Sequence, residues 1–248
     1  MKKFGAIWIS LGLAISLPAF ANGGACGSIT FEELTFAVCH IDPSEYEIEL
    51  ALYAADDKPI GTFDRLYEHL GAKAGDLVFA TNGGMYHPDR RPVGLYIEDG
   101  EELKRIVTRE GPGNFGLLPN GVLCLTEKSA QIVESREFAD NRPDCAFATQ
   151  SGPMLVIDGE LHPRFLENSD STFIRNGVGV TEGGDLVVAI SDSPVNFHTF
   201  ARLFRDTLST PQALFMDGRI SRIHIPELNR SDFGFPMGPI LYAVKRSD

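Results

Sequence analysis

Asp217 closes a short apolar run, Ala213-Leu-Phe-Met-Asp-Gly218, and is the strongest candidate for acid/base or nucleophilic chemistry in this chain. A carboxylate at the end of a buried strand is placed where burial and neighbours can move its pKa. Three more apolar runs stop in the same way on a small polar group. They are Leu77-Val-Phe-Ala-Thr-Asn-Gly-Gly84, Cys145-Ala-Phe-Ala-Thr-Gln-Ser-Gly152 and Leu186-Val-Val-Ala-Ile-Ser-Asp192. Together the four present Asn82, Gln150 with Ser151, Ser191 with Asp192, and Asp217. Strand ends on a rigid scaffold are a means of assembling one polar site from distant segments. Arg175-Asn176-Gly177 adds the best anion-capturing group, since a guanidinium beside glycine backbone can offer paired N–H donors to a phosphate or carboxylate.

Other motifs point away from familiar chemistries. Gly111-Pro-Gly-Asn-Phe-Gly116 has the letters of a dinucleotide fingerprint, but Arg109-Glu110 precede it and a turn entering a strand follows, so nucleotide binding is not read here. Asn114 within it is free to approach a ligand or to bond its own turn. Ser151 lacks the G-x-S-x-G elbow and the helix that should follow, because Pro153-Met-Leu-Val156 continues as strand. The six histidines show no H-x-H or H-x-x-x-H pairing, and no C-x-x-C pair exists. His87 and His162 follow turns and are weaker candidates for a pocket wall.

The elements that must carry these residues read mainly as strands. Eleven are expected: 36–41, 47–53, 77–81, 94–97, 121–125, 146–149, 154–157, 178–181, 186–190, 213–216 and 240–244. Asp158-Gly159 and Gly183-Gly184 mark tight hairpin turns. Two helices are expected, one capped by Thr62 and stopped by Gly71, the other from about 195 to 208 with an apolar stripe of Phe197, Phe200, Phe204 and Leu208. Many strands with few, non-alternating helices predict an α+β fold: mostly mixed or antiparallel β-sheets packed together, flanked by a few helices, in a single domain.

Residues 1–21 read as a signal peptide, with Lys2-Lys3, an apolar stretch from Ile7 to Leu17 and an Ala19-Phe-Ala21 cleavage site. Pro18 interrupts that stretch too early for a membrane span, so no stable membrane insertion is expected after cleavage. Removing it leaves 227 residues with 34 acidic and 20 basic side chains, a net charge of −14. Such a surface repels nucleic acid and anionic lipid. Residues 22–248 are expected to form one exported domain, periplasmic or extracellular. Cys26, Cys39, Cys124 and Cys145 then favour two disulfides; three pairings are open, and local spacing favours Cys26–Cys39 with Cys124–Cys145.

Taken as a set and in order, Asn82-Gly-Gly-Met-Tyr86, Gly113-Asn-Phe115, Gln150-Ser-Gly-Pro153, Arg175-Asn-Gly-Val-Gly179, Ser191 with Val195-Asn-Phe197, and Asp217-Gly218 resemble the phosphodiester glycosidase family. The resemblance runs from about Phe36 to Val244 and fits a bacterial exported member. It implies hydrolysis of a sugar joined through its anomeric oxygen to a phosphodiester. On that basis Arg175 would hold phosphate, and Asp217 would act as acid/base or nucleophile. Asn82 would join them, with Gly83, Gly84, Asn114, Gln150, Ser151, Gly152, Asn176, Ser191, Asn196 and Gly218 around the sugar. Ordinary glycosidases use two carboxylates. Here a phosphate leaving group is a weak base and one carboxylate could suffice. Alternatively Asp217, Asp192 and carbonyl oxygens could hold calcium or magnesium. Two rival activities share the same residues: P–O cleavage of the phosphodiester, and non-catalytic binding of phosphorylated envelope glycans.

Overall fold

Most apolar runs of this chain are five or six residues long and bounded by turns, too short for helices and the right length for buried strands. The computed structural model describes residues 23–217 and 220–246. The leader read at 1–21 and the Gly218 site position lie outside the described residues. Among the described residues seventeen strands form three sheets with antiparallel pairings, the antiparallel form of the expected α+β architecture.

The largest sheet has seven strands, in the order Cys26–Phe31, Leu34–Ile41, Leu186–Ser191, Asn176–Val180, Gln212–Asp217, Met154–Ile157 and Glu160–Leu161. The second orders Arg230–Ser231, Ile223–Ile225, Leu77–Asn82, Ile240–Lys245 and Tyr46–Ala51. The third orders Glu101–Lys104, Tyr96–Glu98, Phe147–Ser151, Gly121–Leu125 and Ala130–Glu134. All three contribute to one core, in which Cys39, Phe79, Leu123, Val178, Val188, Leu214, Ile223 and Leu241 are buried together. This explains why Leu186–Ser191 shows no alternation. It is buried along its whole length, one face on that core and the other under a helix.

That helix, Phe197–Arg202, is capped by Asn196, whose side chain accepts from Thr199 N, and continues as a π-helical segment, Leu203–Thr207. Phe200 and Phe204 pack with Phe36, Val187, Ala189 and Phe215 on the outer face of the seven-stranded sheet. The other expected helix, Phe63–Leu70, has the anticipated ends: Thr62 accepts from Arg65 N and Gly71 terminates it at φ +54°.

Besides the short strands Glu101–Lys104, Glu160–Leu161, Ile223–Ile225 and Arg230–Ser231, three larger features were not anticipated. Ser135–Asn141 forms a third short helix, with the Glu134 carboxylate accepting from Arg136 N and Glu137 N. Ala130–Glu134 pairs with Gly121–Leu125. Cys26–Phe31 forms a hairpin with Leu34–Ile41 through Glu32-Glu33, both at positive φ, a conformation that glycine or asparagine would have signalled and glutamate does not. Cys26 is bonded to Cys39, its directly opposed partner in this hairpin, and Cys124 to Cys145. No helix among the described residues is long and apolar enough to cross a membrane.

Candidate functional site

The polar centre of the molecule is the side-chain amide of Asn176. It lies at the start of its strand, where register sets it opposite Asp217 on one side and Ile190 on the other. Asn176 Oδ1 accepts from Asn82 Nδ2 at 3.2 Å and from the backbone N–H of Asp217 at 3.1 Å. Its Nδ2 donates to Thr81 Oγ1 at 3.0 Å and to the Asn82 carbonyl at 3.2 Å. Asn82 Oδ1 accepts in turn from Arg222 N at 3.0 Å, and Thr81 Oγ1 donates to the Arg222 carbonyl at 2.7 Å. Ser221 Oγ lies within hydrogen-bond distance of Asn176 Oδ1 and of the Ile174 and Asp217 carbonyls. Asn82 and Asn176 are fully buried, and a buried amide lacking its partners would be strongly unfavourable. The hub therefore fixes the end of one sheet against the end of another.

The third sheet is tied in through the second apolar run. Thr149 Oγ1 donates to the Gly83 carbonyl at 2.7 Å, and Ser151 Oγ donates to the Met216 carbonyl at 2.7 Å, one residue before Asp217. Gly84 sits at φ +136°, and a Cβ there would lie 2.6 Å from Thr149 Oγ1, so only glycine lets these strand ends meet. At Gly152 a Cβ would strike the Asn120 side chain at 2.5 Å. Gln150 is fully engaged: Oε1 accepts from Leu95 N and Val107 N, both at 3.0 Å, and Nε2 donates to the Val107 carbonyl at 2.6 Å. Its amide also reaches Ser135 and Asn120. It braces the 95–107 segment and has no spare capacity for a sugar.

Arg175 precedes Asn176 and points its guanidinium to the helix side of the sheet. Nε donates to the Val195 carbonyl at 2.8 Å and Nη2 to the Ser171 carbonyl at 2.9 Å, while Nη1 is buried with no hydrogen-bond partner among the described residues. The guanidinium carbon lies 3.6 Å from the Phe197 ring centroid, with Phe173 at 5.4 Å and Phe215 at 5.3 Å. Burial pulls its pKa down to about 10. The guanidinium is thus enclosed by aromatic faces and loop carbonyls, with one buried N–H group left without a partner among the described residues.

Directly opposed strand residues share a face, so Asp217 lies on the hub side with Asn176, while Arg175, one residue earlier, turns its guanidinium to the helix side. Asp217 is half-buried and its charge reaches Tyr86, whose hydroxyl is pushed up to about 12, first by burial and then by that carboxylate. Tyr86 is thus a neutral phenol beside the acid, its OH donating to the Pro236 carbonyl at 3.1 Å.

The remaining sequence candidates fall outside this centre or support it. Ser191 Oγ accepts from Arg175 N at 3.0 Å, a bond that fixes the arginine backbone. Asn196 caps its helix and donates from Nδ2 to the Glu167 and Ser169 carbonyls. Asn114 is exposed on the 111–116 turn, its carbonyl accepting from Leu117 N. Asp192 is ion-paired with Arg230 at 2.6 Å on the surface, and Glu110 is exposed. His87 is exposed; His162 is buried under Phe165, where burial lowers its pKa. Thr81, Thr149, Ser221, Arg222 and Tyr86 join the site unannounced by any role assigned from sequence. The threonines did carry a signal, since both runs read Phe-Ala-Thr before the amide.

Comparison with known proteins agrees with this architecture. A family model described as Phosphodiester glycosidase matches residues 75–223, the span that contains the whole hub. The uncharacterized protein YigE of Escherichia coli (strain K12) is 32% identical over 209 residues, covering 84% of this chain and 82% of that one. The catalytic domain of zebrafish N-acetylglucosamine-1-phosphodiester alpha-N-acetylglucosaminidase, auto-inhibited by its pro-peptide, shares the fold with a TM-score of 0.59 at 14% identity, over 93% of this chain and 87% of that one. A hypothetical protein from Synechocystis aligns with a TM-score of 0.58 at 9% identity, over 89% of this chain and 61% of that one. On the family match and the similarity to YigE, this chain belongs to the phosphodiester glycosidase family.

Proposed function

We propose that this protein is an exported hydrolase that releases a sugar from a sugar-1-phosphodiester, at the junction where the strand ends carrying Asn82, Asn176 and Asp217 meet. The observation that carries this reading is the Asn176 amide, which binds Asn82 and the Asp217 backbone at once and so brings the acid to the junction of two sheets. Family membership supplies the reaction class. The leader at 1–21 and two disulfides favour an oxidising compartment outside the cytoplasm.

In this reading the phosphate pairs with the Nη1 of Arg175 that lacks a partner among the described residues. That group is buried, so the 171–173 segment covering it must yield to admit the ligand, and burial then strengthens the charge interaction. Breaking the anomeric C–O bond releases a phosphomonoester, a weak base that departs as an anion stabilised by that guanidinium. Asp217 either attacks the anomeric carbon or activates the water that does. Asn82, Gln150, Ser151, Ser191 and Asn196 act as positioning residues, because their polar atoms are already engaged within the protein. Asp192 is committed to Arg230, which removes half of the carboxylate pair that a calcium or magnesium ion would use, so no step is routed through a cation. Turnover retained in excess EDTA is expected.

The test is hydrolysis of glycosyl-phosphodiesters in oxygen-18 water by the protein and by Asp217→Asn. Label in the released sugar, with turnover reduced at least about 10³-fold by the substitution, supports the glycosidase. Label in the phosphate would instead establish P–O cleavage. Undiminished ligand affinity in Asp217→Asn with no turnover in either protein would establish a binder.

A further inference from the structure

Arg175 turns its guanidinium to the helix side of the sheet, whereas Asp217 lies on the hub side. A phosphate brought to Asp217 meets a like charge there, in a protein whose net charge is already −12. It needs a cation on the acid's own side. Arg222 and Arg230 are committed elsewhere. Arg222 donates to the Asp232, Gly234 and Phe235 carbonyls, and Arg230 is ion-paired with Asp192 and Asp232. Arg90 differs from both. Its neighbours Asp89 and Arg91 pair with each other at 2.7 Å, and Arg90 itself, partly exposed, has no carboxylate partner among the described residues.

Arg90 stands on a hairpin that grows directly out of the hub. Gly83, next to Asn82, donates its N–H to the Pro239 carbonyl, and Ile240 pairs with Asn82. Beyond Gly84 the chain folds back on itself: Tyr86 bridges to Pro92, His87 N donates to the Arg91 carbonyl and Val93 N to the Met85 carbonyl. The Tyr86 ring is fixed at the base of this hairpin. Its hydroxyl donates to the Pro236 carbonyl, and Gly238 lies so close that a Cβ there would stand 2.5 Å from the ring. The Arg90 guanidinium sits over that ring, 5.3 Å from its centroid. The charges of Asp217, Arg90 and Arg222 all act on the one phenol. We infer that Arg90, seated on Tyr86, is the outer anion-binding group of the site: it takes the phosphate of the substrate from solvent on the side of Asp217 and offsets the repulsion between that phosphate and the carboxylate. A guanidinium stacked on an aromatic ring keeps its in-plane N–H groups for an oxyanion. The identity of the anion rests on the hydrolase reading above; the site itself does not.

The probe is methyl phosphate, titrated calorimetrically into the full-length mature protein, so that binding is read without turnover. Arg90 holds φ +71°, a left-handed conformation that glycine adopts without strain. Arg90→Gly should therefore leave the melting temperature unchanged or raise it, while weakening methyl phosphate at least about tenfold. Arg90→Lys, which keeps the charge, should lose less affinity than Arg90→Gly. Asp217→Asn removes the like charge beside the anion and should tighten binding at least about threefold. No binding by the native protein, an affinity unchanged in Arg90→Gly, or one lost only in Arg175→Met would overturn the assignment. Equal affinities in Asp217→Asn and the native protein would put the anion away from the acid and overturn it as well. Binding that depends on Arg90 without turnover of any glycosyl-phosphodiester would count against the hydrolase reading alone. Turnover with the same KM in Arg90→Gly as in the native protein would count against Arg90 alone.

Discussion

Asn176 illustrates how one amide can set the geometry of a site while touching none of its chemistry. Replacing it with alanine removes bonds to Asn82, Thr81 and Asp217 N and leaves buried partners unsatisfied. A loss of about 2–4 kcal/mol in urea unfolding is expected. Arg175 should behave differently. Arg175→Met leaves two carbonyls unpaired but also removes a buried charge that burial already disfavours. These effects oppose each other, so the midpoint of thermal unfolding should move by only a few degrees while turnover falls at least about 10²-fold. A parallel collapse of stability and activity would mark Arg175 as structural. At this scale the sequence was partly legible. Asn82 and Asp217 stand at the ends of apolar runs, and the structure brings the Asn82 side chain and the Asp217 backbone to the same hub. Gln150, Ser191 and Asn196 were equally visible, but a sequence does not show whether an amide or hydroxyl faces a ligand or its own backbone. Here each faces the protein.

Secondary structure elements were most legible where they are buried on both faces. The runs 121–125 and 154–157 have the predicted bounds, and the helix after Thr62 has its predicted cap and stop. The Ala130–Glu134 strand and the short helix after it were missed although their partners are local, a hairpin with Gly121–Leu125 and a glutamate cap, because neither a turn pair nor a usual capping residue marks them. The second predicted helix starts two residues late because Asn196 caps it, and it leaves α geometry at Leu203. Asn196→Ala should cost about 1 kcal/mol from the lost cap and should also loosen the 167–169 segment, readable as faster amide exchange there. A second element-scale expectation concerns Glu98, in a strand between Tyr96 and Asp99. Burial, then the Asp99 charge, raises its pKa despite the hydrogen bond from Tyr96 OH. The folded state therefore prefers the neutral acid, and this destabilising effect is present above the folded pKa and fades as pH falls through it. Glu98→Gln should raise the melting temperature at pH 7.5 relative to the native protein, with the gap closing toward acid pH.

For the whole molecule, three antiparallel sheets share one core, with a helix on the outer face of the largest. The α+β class was legible because strand-like runs outnumber helical ones. The order of strands was not, since neighbours such as Leu34–Ile41 and Leu186–Ser191 are far apart in sequence. The two disulfides each close a short loop, with separations of 13 and 21 residues, so each should contribute about 3 kcal/mol by restricting the unfolded chain. Cys26→Ser/Cys39→Ser should lower the free energy of unfolding by that order, measured in guanidinium chloride, and leave the hub intact once folded.

Because the residues that meet around Asn176 come from positions 81 to 222, no shorter contiguous fragment holds them all, and that stretch still lacks Ile240–Lys245, which pairs with Leu77–Asn82. Assembly of the site is then an all-or-none property that arrives only when the last sheet docks. A protease nick in any of the three layers should abolish the proposed activity as completely as Asp217→Asn. An assay for product, rather than a spectroscopic signal from one region, would be the most sensitive gauge of native assembly in a refolding tube.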